Sequence, residues 1–199
     1  LVYRAEGTAA AVPSLARRSV QRARAGASTV VLGPLPRSDG ADTEIDMDDD
    51  QGEVFLRNLR RFQDITEKRG LQTALHPHWG MAISRQNQVD RLLNSCDVGM
   101  CVDAGHLFLS GVDPLQVVKD AGDRVLHVHI QDLPNEPPEK VRNGAVPFPP
   151  ATIDATVIPA GAGYVDLAAI NPPQADRAPQ GPTGHSQYPS LAGDRATPP

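Results

Sequence analysis

Between residues 14 and 133 the chain alternates short apolar runs with amphipathic helical stretches. No other feature restricts its fold as strongly, because each period demands its own element. The apolar run Thr29-Val30-Val31-Leu32, stopped by Gly33-Pro34, reads as a buried strand, and further strands are predicted over 71–75, 98–102 and 124–130. A first helix is predicted over 14–25, ended by Gly26. A second runs over 54–69, with Phe55, Leu59, Phe62 and Ile65 on one side and Gly70 as its C-terminal cap. Ser84 is placed to cap a third, which carries Val89, Leu92 and Leu93. Asp113-Pro114 supplies the N-cap and first-turn proline of a fourth, ending at Ala121. Strands separated by helices of this length pair in parallel, since each helix serves as the crossover. The loop over 36–52 is long for such a connection.

Beyond Leu133 the pattern weakens. A further strand is predicted over 152–158 and a helix beginning at Val165. Of 19 prolines, 14 lie at or after Pro134, and residues 171–199 contain no Ile, Val, Met, Phe, Trp or Cys. Such a segment buries too little apolar surface to offset its ordering entropy. The expected organisation is one domain over 1–170 and a disordered Pro/Gly/Ala-rich tail over 171–199.

Composition excludes several classes. No run of 18 apolar residues exists, so no membrane-spanning helix is expected. The opening LVYRAEGTAA has no basic segment followed by an apolar one, so no secretory leader is expected, and a first residue other than Met suggests an incomplete or processed chain. Two cysteines, Cys96 and Cys101, make no disulfide framework and suit small core positions in a reducing, cytoplasmic setting. Residues 42–53 hold seven carboxylates without Lys or Arg, which reads as a solvated loop; the glycine and ligand order of an EF-hand is absent. A net charge of −5 with 4 % aromatic residues argues against nucleic acid as a partner.

Five of the six histidines fall between residues 76 and 129, and their placement matters more than their number. His76 and His78 end one predicted strand, Asp103 and His106 the next, and His127, His129 and Asp132 the third. Parallel α/β folds carry their sites at the carboxyl ends of strands, in closed barrels and open sheets alike. Three successive strands thus deliver ligand-type groups to one rim. Each group has a plainer reading: paired rim histidines bonded to loops, and Asp103 as the cap of a turn. His127 and His129 share one strand face, and two polar rings facing inward are costly unless bonded or coordinating. Carboxylate and imidazole without thiolate suit Mn²⁺, Mg²⁺, Co²⁺ or Zn²⁺. Trp79 suits stacking on a sugar or packing beneath the loop. Gly161-Ala162-Gly163 is too weak a motif to count as a nucleotide loop.

The stretches LHPHWGMAISRQNQVDRLL, VGMCVDAGHLFLSGVDPLQVV and DRVLHVHIQD resemble the xylose-isomerase-like barrel superfamily, in particular its sugar phosphate isomerase/epimerase group and inosose dehydratases. KVRNGAVPFPPATIDATVIPAGAGYVDLAAI continues the likeness, which covers residues 54 to 170. The resemblance implies a partial (β/α) TIM-type barrel of parallel strands. It implies Asp103 and His129 as metal ligands, with His76 or His78 as a third, and His106 near the metal against a substrate oxygen. His127 and Asp132 occupy rim positions of the same motif, and with His106 they form the expected catalytic set. A divalent metal, Mn²⁺ first among the four, would hold two adjacent oxygens of a small sugar or polyol while a proton moves in an enediolate-type step.

The resemblance has departures. Relatives carry a glutamate on the final strand, whereas no Glu follows Ile170 here; Ser84 stands where an acidic residue is frequent, and Gln131 replaces a frequent lysine. A complete barrel takes eight strand–helix units and roughly 250 residues, so the length implies truncation at both ends. Sheet edges left bare would favour a homo-oligomer that covers them. The leading expectation is a metal-dependent sugar or sugar phosphate isomerase/epimerase. Inosose dehydratase-like lyase chemistry, metal-dependent hydrolysis suggested by His76-Pro77-His78, and a catalytically inactive barrel fragment are the alternatives.

Overall fold

In the computed structural model of the protein, residues 26–34, 45–133, 161–163 and 170 are described. Four strands form one sheet: β1 (Thr29–Leu32), β2 (Gln72–Leu75), β3 (Gly99–Asp103) and β4 (Val125–His129). All three pairings are parallel and the spatial order is β1-β2-β3-β4. That order separates the two parallel architectures. A doubly wound sheet reverses direction so that helices cover both faces, whereas sequential order with right-handed crossovers keeps every helix on one face. The strands accordingly form part of a TIM-type barrel, with the other face turned inward.

The helices are α1 (Asp49–Glu67), α2 (Gln86–Ser95), α3 (Ala104–Leu109) and α4 (Pro114–Ala121). The core lies between them and the outer face of the sheet. Phe55, Leu59 and Phe62 of α1, Val89 and Leu92 of α2 and Val117 of α4 pack with Leu75, Met100 and Val102. Thr66 of α1 meets Thr73 of β2 hydroxyl to hydroxyl, which satisfies two buried polar groups at once.

Two helix starts differ from the sequence expectation. The acidic run is not wholly loop: Asp48 caps α1 in a reciprocal box with Gln51, and Asp49 and Asp50 fill its first turn. Carboxylates there complement the positive end of the helix dipole, so the helix starts five residues earlier than expected at 54. Ser84 does not cap α2. The buried Gln88 side chain instead accepts from the Ser84 and Arg85 N–H groups and donates to the Ile45 carbonyl. Asp113 and Pro114 start α4 as expected, and Gly70 takes φ +70° just beyond α1. The helix expected over 14–25, the elements expected over 152–158 and after Val165, and the tail over 171–199 lie outside the described residues.

One irregularity positions the site. Met100 pairs with Val125, but Cys101 pairs with His127, so Leu126 is an extra residue in β4. Unbroken register from Met100–Val125 would set Asp103 opposite Val128. The bulge sets it opposite His129. Gly99 makes the room, since a Cβ there would overlap Leu126 Cδ1 and lie 2.7 Å from the Thr73 carbonyl oxygen.

Candidate metal centre

Asp103 ends the central strand β3 with its side chain fully buried. Its two oxygens do different work. Oδ1 accepts the His106 N–H at 3.0 Å and caps α3, so the cap reading of Asp103 holds for one oxygen. Oδ2 faces two imidazoles, with His129 Nδ1 at 3.2 Å and His76 Nε2 at 3.3 Å. The His76 nitrogen acts on the carboxylate electrostatically but is not aligned for a hydrogen bond, and it is buried without a hydrogen-bond partner. His106 Nδ1 is buried in the same condition.

These are the features of a cation site. Bonds of about 2.1 Å at tetrahedral or octahedral angles put neighbouring ligand atoms roughly 3.0–3.4 Å apart, as Oδ2 stands from both rings. His76, Asp103 and His106 also each offer a ligand atom, all within 4.8 Å of one another. Asp103 and His76 are common to both groupings. Nitrogen and oxygen donors without thiolate fit a divalent ion. Cys101 lies buried within β3 and Cys96 half-buried before it, and burial raises the pKa of each.

Electrostatics keep Asp103 ionised and the His106 and His78 rings neutral. Burial alone would raise the Asp103 carboxyl, but the facing His129 and His76, with His106 nearby, hold it well below the usual carboxylate range. Burial lowers His106 to about 3 against the pull of Asp103. It also lowers His78 to about 4, although the bond to Trp79 opposes this. Both rings are therefore neutral near pH 7. His78 Nδ1 lies 2.7 Å from the Trp79 carbonyl, which can only accept, so Nδ1 carries the proton and Nε2 the lone pair. The His78 and His106 rings lie with centroids 3.5 Å apart, and His76 and His129 meet edge to face at 4.7 Å.

Of the seven residues singled out from sequence, five converge: His76, His78, Asp103, His106 and His129. His127 is half-buried on β4 beside His129, its ring centroid 5.1 Å from that of His129, and burial lowers its pKa. Asp132 is buried and faces elsewhere, accepting backbone N–H groups from Leu133, Gly161 and Gly163. Gln131 was not anticipated as a participant. It is buried, and a Cβ on Gly105 would lie 2.9 Å from its Cβ, so only glycine lets the β4 loop approach the turn between Asp103 and His106.

A family model for the xylose isomerase-like TIM barrel matches residues 5–171. The chain belongs to this family. The inosose dehydratase of Geobacillus thermodenitrificans (strain NG80-2) is 29 % identical over 125 residues, which cover 61 % of this chain and 42 % of that protein. The inosose dehydratase of Lacticaseibacillus casei is likewise 29 % identical over 125 residues, with the same shares covered. The chain therefore spans less than half the length of the curated relatives it matches. Among solved structures, the IolI protein with a bound zinc atom superposes with a TM-score of 0.64 at 22 % identity, covering 83 % of this chain and 56 % of that one. The probable 3-DHS dehydratase AsbF of Bacillus anthracis gives 0.62 at 12 % identity, covering 80 % and 57 %. These two likenesses concern the fold. Among the described residues no helix is long and apolar enough to cross a membrane.

Proposed function

We propose that this chain carries the metal-binding part of a site that moves a proton beside a carbonyl of a small sugar or polyol, in a dehydration of the inosose dehydratase type. The observation that carries the metal reading is the convergence of His76 Nε2 and His129 Nδ1 on Asp103 Oδ2, with His76 Nε2 buried and without a hydrogen bond. The bound zinc named for the IolI protein supports a divalent ion here. Inosose dehydratases matched over three-fifths of this chain support lyase chemistry above isomerisation or epimerisation. The isomerase reading draws on the family resemblance and on fold.

The bound ion would polarise the substrate carbonyl, the contribution of a Lewis acid. Asp103, His76 and His129 would hold it, His129 giving up the Nδ1 proton that it shares with Asp103 Oδ2. His106 and His78 are neutral at working pH and, in this reading, orient substrate hydroxyls. His78, with its proton fixed on Nδ1, presents Nε2 as an acceptor. His127 adds a further polar ring on the strand of His129.

Two measurements test this. Calorimetric titration with Mn²⁺ and with Zn²⁺ should give one site per chain, weakened by roughly 10–100-fold or more in His76→Ala. The metal-loaded chain should then dehydrate an inosose and stop when chelator is added. Interconversion of ketoses without loss of water would replace the lyase reading with the isomerase one. Absence of metal uptake would sink both.

A further inference from the structure

Among the described residues the Asp132 carboxylate gathers three backbone donors: its oxygens accept from Leu133 N–H at 2.9 Å, Gly161 N–H at 2.9 Å and Gly163 N–H at 2.8 Å. It does so while fully buried. The glycines are required by this arrangement. Gly161 takes φ +87°, and a Cβ on Gly163 would overlap the Leu133 carbonyl oxygen and Asp132 Oδ1. Alternate amides of a glycine turn aimed at one point form a nest, a concavity that binds anions. Here the anion is the chain's own carboxylate, and the segment it fastens lies some thirty residues downstream.

Asp132 is three residues beyond His129, and of the two residues between them Gln131 is packed on Gly105. A continuous contact path therefore runs from the 161–163 turn through Asp132 and Gln131 to the turn that joins Asp103 to His106. The five residues of β4 are each half-buried, and its end is held besides by pairing with β3 and by the contact of His129 with Asp103.

We infer that Asp132 is a positioning residue. Its carboxylate fills the Gly161–Gly163 nest and thereby fixes the β4 end that presents His129 to Asp103. Asp132 touches no reacting atom in this account. The inference rests on the metal reading above for its second readout only.

The test uses the 199-residue chain with Asp132→Ala and Asp132→Asn, read by amide hydrogen exchange at Gly161 and Gly163 and by Mn²⁺ calorimetry. In Asp132→Ala both amides should exchange faster by at least about tenfold, and Mn²⁺ affinity should fall by roughly 10–100-fold. Sodium formate, a carboxylate small enough for the vacated nest, should restore both, whereas sodium chloride at equal ionic strength should not. Asp132→Asn keeps one oxygen acceptor and should fall between. Faster exchange with wild-type Mn²⁺ affinity would overturn the inference, as would a folded Asp132→Ala chain that formate leaves unchanged. Failure of the metal reading looks different: wild type would then give no Mn²⁺ binding while its two glycine amides stayed protected.

Discussion

Strands β3 and β4 are neighbours of equal length, and both deliver a group to the same centre, yet they are held in opposite ways. All five residues of β3 are buried, whereas all five of β4 are half-buried. Asp103 is set by the core, with Met100 and Val102 on one face packed against the helices. His129 is set by neighbours of the strand end: the bulge at Leu126, the approach of Gln131 to Gly105, and the clasp at Asp132. One ligand is placed by packing and the other by register and loop contacts. One half of the site therefore sits in the core and the other at a partly open strand end.

Truncating each strand breaks the comparison most sharply. Met100→Ala in β3 should destabilise the fold by about 2–5 kcal/mol, the range for large-to-small change in a sealed core. Val125→Ala, its register partner in β4, should cost less than about 1.5 kcal/mol because its site is half-open. Urea unfolding of the two variants checks this, and equal costs would erase the distinction. Next in size is Gly99→Ala. Leu126 can rotate away from a new methyl but the Thr73 carbonyl cannot, so a loss of about 1–3 kcal/mol is expected in the same measurement. The smallest effect concerns the bulge itself. Deleting Leu126 removes the extra residue while Asp103 stays opposite His129, so Mn²⁺ affinity of the folded deletion variant should match wild type. A clear loss would mean that the bulge aims the His129 ring as well as absorbing one residue.

What the sequence disclosed follows from the same contrast. The apolar run of β1 was legible to the residue, and β3 stood out as a short apolar segment buried throughout. Asp103, His76 and His106 were legible because strand ends are marked by the change from apolar to polar. The start of α1 at Asp49 was hidden because acidic residues serve solvated loops and first helical turns equally. Helix α3 was hidden because six residues including Gly105 carry no periodic signal. The bulge left no local mark: alternation in Val125 to Ile130 reads the same with or without it, and Gly99, the residue that makes room, lies on another strand. Gly161-Ala162-Gly163 read as too weak a motif for a nucleotide loop, and nothing along the chain says that its amides meet Asp132. Long-range pairings of this kind are visible only once the fold has brought the two segments together.

The central claim is that Asp103 organises a divalent-metal centre between the ends of β2, β3 and β4. Calorimetric titration of wild type and Asp103→Ala with Mn²⁺ tests it most directly, provided both chains give the same far-ultraviolet circular dichroism. One site in wild type, with affinity in Asp103→Ala lower by about 100-fold or more, is the predicted result. Equal binding by the two folded chains would contradict it.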